Sequence, residues 1–242
     1  MAYKRFVLFS FQRYKPHSAR VAQVAYSMSR LHCFMASPRD LALPFAASWP
    51  QDVAVPEQTV EGLKGAVILN AERGRSLRVM RWGFPRPVRG QGDGPDKIGL
   101  VADLTNPMWN EMVVDPRYRC IIPITHFANP GGPSGAKTRT WFSVKGQPVM
   151  AWAGFCRNMP DLGPVYAGMT QDANSAVMPT NDRMPVLLEP HEVERWFTGS
   201  IEDVIEFQFR APFAASRMNI DETSDRWRGD GLPTNARQQA LL

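Results

Sequence analysis

The stretch Asn181-Asp182-Arg183-Met184-Pro185-Val186-Leu187-Leu188 decides the fold when it is read beside Arg81-Trp82-Gly83-Phe84-Pro85 and Arg119-Cys120-Ile121-Ile122-Pro123. The second segment closes a strand-like run over 77–82, and the third opens another over 120–127. The first leads into Glu189-Pro190-His191-Glu192, a helix start after which Val193, Trp196 and Phe197 are spaced to form one apolar face. Working outward, Ser37-Pro38-Arg39-Asp40 carries a capping residue, a proline at the first helical position and an acid in the first turn, predicting a helix to about 47. A short helix is expected from Asn106-Pro107 through 112, and further strands at 66–69, 140–144, 149–155 and 165–170. The 21 prolines and 18 glycines favour short strands and turns over long helices, with a hairpin-like signal at Lys145-Gly146-Gln147-Pro148. Loops over 86–97 and 130–137 are rich in Gly and Pro and read as mobile, and the polar residues beyond 221 as a frayed tail.

A chain of 242 residues with 44% apolar content can bury a sizeable core. No apolar run approaches the roughly 20 residues needed to cross a bilayer. Cys33, Cys120 and Cys156 are odd in number, lack C-x-x-C spacing and read as buried thiols of an intracellular protein. No H-E-x-x-H, P-loop or paired-cysteine pattern calls for a metal or cofactor, so none is expected. Residues 1–27 hold Lys4, Arg5, Arg13, Lys15 and Arg20 with no acid, so they carry the whole net charge of +5. The remainder is balanced at 23 basic and 23 acidic residues, and its charge alone does not make it a nucleic-acid binder. Residues 1–27 are either a basic arm or a region upstream of the true start; the second reading is preferred, with the body at 28–220 and a tail at 221–242.

One local pattern points to nucleic acid. Arg73, Arg75, Arg78, Arg81, Arg86 and Arg89 occur without an intervening acid, and Trp82 and Phe84 lie among them. Arginines for phosphate and an exposed aromatic for stacking are the usual pairing for single strands. The competing reading is a solvated strand face with Trp82 in the core. Alternation separates Arg75 and Arg81 from Arg78 and Trp82, so these side chains cannot all point one way.

Taken in order, these motifs resemble the SRAP (SOS response-associated peptidase) family over about 28–198. Met28-Ser29-Arg30-Leu31-His32 is similar to the family's Met-Cys opening, and Arg81 to Pro85 to its Trp-Gly-Leu/Phe-Pro strand. Val101-Ala102-Asp103-Leu104, Arg119 to Pro123, Trp141-Phe142, Ala151 to Phe155 and Thr170 to Asn174 continue the likeness, and Asn181 to Leu188 resembles its His-Asp-Arg-Met-Pro signature. The resemblance implies a single α+β domain with a curved, mostly antiparallel sheet or barrel flanked by short helices, in a cytoplasmic DNA-damage or prophage setting. It also implies single-stranded DNA as partner, with contacts from Trp82, Arg81, Arg78, Arg86, Thr170 and Arg183.

The family's chemistry, as the resemblance implies it, closes an exposed cysteine amine and thiol on the aldehyde of an abasic site, helped by an asparagine, a glutamate and a histidine. The aligned positions here are Ser29, Leu100, Asn129 and Asn181, and none matches. A serine hydroxyl is a poor nucleophile without a base, asparagine does not titrate near neutral pH, and leucine removes polarity. His32 or His126, with Asp103 or Asp182, could in principle form a Ser–His–Asp arrangement, and Cys33 could be a displaced nucleophile; structural roles are the preferred reading. The expectation is a catalytically degenerate protein that binds single-stranded or damaged DNA without a covalent adduct, with Ser29, Asn129 and Asn181 converging on a cleft floor beside Trp82. The alternatives are an active SRAP-type crosslinking enzyme, lyase or autopeptidase with relocated catalysts, and a protein-interaction module.

Overall fold

The structure, a computed structural model, describes residues 31–85, 97–227 and 233. Strands β1 (Leu31–Cys33), β2 (Gln58–Val60), β9 (His126–Gly131), β10 (Thr138–Val144) and β15 (Met218–Arg226) form one sheet in the order β15-β10-β9-β1-β2. A second sheet contains β3 (Lys64–Ala71), β4 (Gly74–Trp82), β8 (Arg119–Ile124), β11 (Met150–Met159) and β12 (Gly163–Asp172). These five close on themselves: β12 pairs with β4, then β3, β8 and β11 follow, and β11 returns to β12. Every pairing in this ring is antiparallel except β4 with β12, where Arg81 lies opposite Val165 and Trp82 opposite Tyr166. Short strands β7 (Leu100–Val101), β13 (Arg183–Pro185) and β14 (Leu187–Leu188) extend it, and β5 (Phe84–Pro85) pairs with β6 (Lys97–Ile98).

Where the outside of the closed ring is covered, its strands are buried on both faces. All six residues of β8 and the first seven of β11 are buried, which is why they read as apolar runs without alternation. The five-stranded sheet lies over one side of the ring. Its inner face presents His32 and the stacked pair Phe127 and Phe142, with ring centroids 5.2 Å apart, and His32 meets Trp82 and Trp152 of the barrel. Cys33, Ala128 and Trp141 form a separate small cluster on its other face, packed by Met35 and Trp227.

Helices are short. Ser37 caps α1 (Pro38–Ala42) by accepting from the Asp40 N–H at 3.1 Å, and the helix tightens to a 3₁₀ turn at Leu43–Phe45 around Pro44. Asn106 caps the turn before α2 (Asn110–Val114), and a capping box between Glu189 and Glu192 precedes α3 (Val193–Thr198). A second capping box, Ser200 with Asp203, starts α4 (Ile201–Phe209). Arg119 is 2% exposed and donates to the carbonyls of Trp196 at 3.1 Å and Gly199 at 2.7 Å, which ties the end of α3 to the barrel.

Three expectations change. The run over 120–127 is not one strand but β8 and β9, which part at Thr125 and enter different sheets. The turn at 145–148 joins β10 to β11, yet these strands do not pair, so it carries the chain from the sheet to the barrel. Residues 221–226 are not frayed but complete β15, an edge strand whose Asp221 lies opposite Trp141. Most of the 86–97 loop lies outside the described residues, whereas 130–137 forms the end of β9 and the turn into β10.

Candidate functional site

Asn129 and Asn181 are far apart in the chain and are brought together by one turn. Asn129, on the inner face of β9, is fully buried and donates from Nδ2 to Thr180 Oγ1 at 3.1 Å. The Thr180 hydroxyl in turn donates to the Val177 carbonyl at 2.9 Å, which leaves its lone pairs for the amide. Asn181 follows directly and accepts the Arg183 N–H on Oδ1 at 3.0 Å, a turn that launches β13. Asn129 Oδ1 is left buried without a partner. Strand β1 enters at Leu31, opposite Ala128, the neighbour of Asn129. Ser29 itself lies outside the described residues, as does Arg86.

Leu100, Thr170 and Arg183 gather on an adjoining edge. Leu100, in β7, lies opposite Gly168 in a parallel pairing, and Thr170 Oγ1 donates to the Val101 carbonyl at 3.4 Å. Arg183 donates to the carbonyls of Thr170 at 2.7 Å and Ala102 at 3.2 Å and pairs with Asp172 at 2.6 Å. Gln208, from α4, is buried and shares the Thr170 carbonyl at 3.1 Å. The guanidinium of Arg183 is therefore occupied in holding β7, β12 and β13 together. Gln208 and Thr180 were not singled out in the sequence, although the Ser200-x-x-Asp203 box announces the helix that carries Gln208.

Trp82 is not an exposed stacking platform. It is fully buried, donates from Nε1 to the Gly99 carbonyl at 2.7 Å and stacks on Tyr166 at 6.3 Å. Phe84 is also buried, edge-on to Trp109 at 5.3 Å. The cause is closure of the barrel: β4 is flanked by β3 and β12, so Leu77 and Trp82, of opposite parity, are both covered. Among the arginines, Arg75 is engaged by the Phe45 carbonyl, Glu194 and the Phe197 ring. Arg78 and Arg81 are exposed, each donating to one backbone carbonyl.

The side chains weighed as alternative catalysts are buried or engaged within the fold. His32 is 1% exposed among Phe34, Trp82, Trp152 and Tyr166, hydrogen-bonded to the Tyr166 hydroxyl at 3.2 Å, and burial pulls its pKa down to about 3. It is neutral at physiological pH and cannot take up a proton there. His126 lies on the other face of the sheet, its pKa lowered to about 4 by burial against the opposing influence of Asp221. Cys33 lies opposite His126 across the strands, but burial pushes its thiol up to about 12, and Thr125 Oγ1 stands 3.4 Å from its sulfur. At neutral pH this pair is a protonated thiol beside a neutral imidazole, without the thiolate that a nucleophilic cysteine needs. Asp103 is spent on its own turn, accepting from Thr105 N–H and Oγ1. Cys33, Cys120 and Cys156 are all buried and free.

Among the described residues no cluster of three or more His, Cys, Asp or Glu could hold a metal, and no helix is long and apolar enough to cross a membrane. A search of curated proteins gives no match. Solved structures share the fold at low identity. A Bordetella bronchiseptica protein matches with TM-score 0.65 and 19% identity, covering 81% of this chain and 99% of its own. A Bacteroides thetaiotaomicron protein matches with TM-score 0.63 and 17% identity, over 79% of this chain and 90% of its own. A phage-related protein of Bordetella bronchiseptica matches with TM-score 0.60 and 18% identity, over 85% of this chain and 100% of its own. Residues 30–226 match the family described as SOS response associated peptidase (SRAP). This chain, with its curled, mostly antiparallel sheets and short helices, belongs to the SRAP family.

Proposed function

We propose that this SRAP-family protein binds single-stranded or damaged DNA without forming a covalent bond to it. Membership of the family described as SOS response associated peptidase supports a DNA-damage-associated role and an interaction with DNA. The observation that carries the non-covalent reading is the Asn129–Thr180–Asn181 turn: two amides stand at the positions aligned with the family's glutamate and histidine, Asn129 donating to the Thr180 hydroxyl and Asn181 accepting the Arg183 N–H. Burial holds His32 neutral, which removes it as a proton donor near neutral pH. Exposed Arg78 and Arg81 supply phosphate contacts at the barrel's surface. A structural neighbour described as phage-related is in keeping with a prophage setting.

The test pairs two readouts on protein beginning at Met28, which removes the basic residues of 1–27. Fluorescence anisotropy with a single-stranded oligonucleotide carrying one abasic site is expected to show salt-sensitive binding. A denaturing gel of the same mixture is expected to show no slow-migrating adduct. An adduct that survives denaturation overturns the reading and restores the active-enzyme alternative. Absence of binding at low salt overturns the DNA assignment and favours a protein-interaction module.

A further inference from the structure

The turn between β2 and β3 gathers cations that form no ion pair among the described residues. Lys64 and Arg81 lie directly opposite each other on β3 and β4, both exposed, a placement that costs stability through like-charge repulsion. Arg81 donates to the Gly62 carbonyl at 3.2 Å, and a Cβ built on Gly62 would stand 2.5 Å from Lys97 Nζ, so a third cation reaches the same turn. Gly62 has φ +95, which only glycine adopts without strain, and this turn brings its backbone beneath the lysine. Eight ion pairs join arginines to carboxylates elsewhere in the described residues, and none includes Lys64, Arg81 or Lys97. Glu61, the acid in the turn, places Oε1 on the Gly99 N–H.

Between these cations the turn exposes aliphatic surface, Val60 at 42% and Leu63 at 58%. It also pairs with the backbone of the buried tryptophan: Gly62 N–H donates to the Trp82 carbonyl at 2.7 Å and Trp82 N–H to the Leu63 carbonyl at 2.8 Å. We propose that the β2–β3 turn is a single-strand-binding lip, in which Lys64, Arg81 and Lys97 contact consecutive phosphates and Val60 and Leu63 pack on an unstacked base of the same strand. This rests on the DNA-binding reading above and moves its base contact from Trp82 to the turn that pairs with its backbone. A duplex hides its base faces, so the aliphatic contact selects single strands.

The test is a salt titration of single-stranded oligonucleotide binding for the full chain and for Lys64→Gln, Lys97→Gln, Leu63→Ser and Lys145→Gln. Each phosphate contact on a single strand contributes about 0.7 to the slope of log affinity against log salt. Lys64→Gln and Lys97→Gln are expected to lower the slope by about 0.7 each. Leu63→Ser is expected to weaken single-strand binding about five- to tenfold at unchanged slope, from the apolar area no longer covered, and to leave duplex binding unaltered. Lys145→Gln, which removes a cation whose Nζ donates to Ser216 O, is expected to change neither. Circular dichroism checks that the four surface variants keep the parent fold. If the parent chain binds but the two lysine variants keep its slope, the lip is overturned while the DNA-binding reading stands. An equal loss on duplex from Leu63→Ser overturns the base contact, and a parent chain that does not bind overturns both.

Discussion

Lowering the pH should unfold this protein through His32, and the structure sets the size of the effect. The imidazole is enclosed by four aromatic rings, and its pKa falls to about 3 from an ordinary 6.5. Above pH 6.5 neither state binds the proton, and the residue costs nothing. Between pH 6.5 and about 3 the unfolded chain is protonated and the folded one is not, so stability falls by about 1.4 kcal/mol for each unit of pH. From pH 7 to pH 5 the loss from His32 is about 2 kcal/mol, and His126 adds a similar loss, discounted for its partial exposure. Replacing His32 by Phe keeps a ring in the aromatic cage but removes the titration. It leaves the Tyr166 hydroxyl without its partner, lowering stability at pH 7 by about 1–3 kcal/mol. Urea unfolding at half-unit steps from pH 7.5 to 5, extrapolated to water, should show the parent losing about 2 kcal/mol more than His32→Phe over that interval. Equal pH dependence in the two proteins would refute the burial argument. So would an NMR titration that finds His32 protonating near pH 6.5, which would return it to the list of possible general bases.

Two further outcomes follow from the same packing. Arg119→Ala removes the donors to the Trp196 and Gly199 carbonyls and leaves a void beside α3; a loss of about 3 kcal/mol, read as a Tm lower by about 6–12 °C, is expected, and an unchanged Tm would refute the role given to this arginine. Trp82→Phe loses the Nε1 bond to Gly99 and core volume, so chemical denaturation should show about 2 kcal/mol lower stability with single-strand affinity unchanged at 10 °C, whereas lost affinity at full stability would reinstate Trp82 as a stacking platform.

Much of the architecture was legible locally. Ser37, Asn106 and the Glu189 box announce helix starts by side-chain chemistry that needs no distant partner. Runs such as 165–170 and 149–155 are apolar because both faces are covered, so composition alone marks them as strands. The tail at 221–226 escaped because an edge strand needs little apolar content; Met218–Arg226 is polar yet pairs along β10. The candidate site was legible in part. The approach of Asn129 to the turn at Asn181 was implied by the family resemblance, but the residue that joins them, Thr180, sits in a turn with no distinguishing pattern.

The sequence by itself determined the family and the set of short elements, since both are written in residue identity and near-neighbour spacing. Only the tertiary structure decided which groups face water. Pairing of β4 with β12, whose partners Trp82 and Tyr166 are far apart in the chain, closes the barrel and buries Trp82 and His32 while leaving Arg81, Lys64 and Lys97 outside. Alternation along one strand assigns side chains to two faces, but which face is covered is set by the strands and sheets that pack against it, and those contacts form between residues that no local pattern connects.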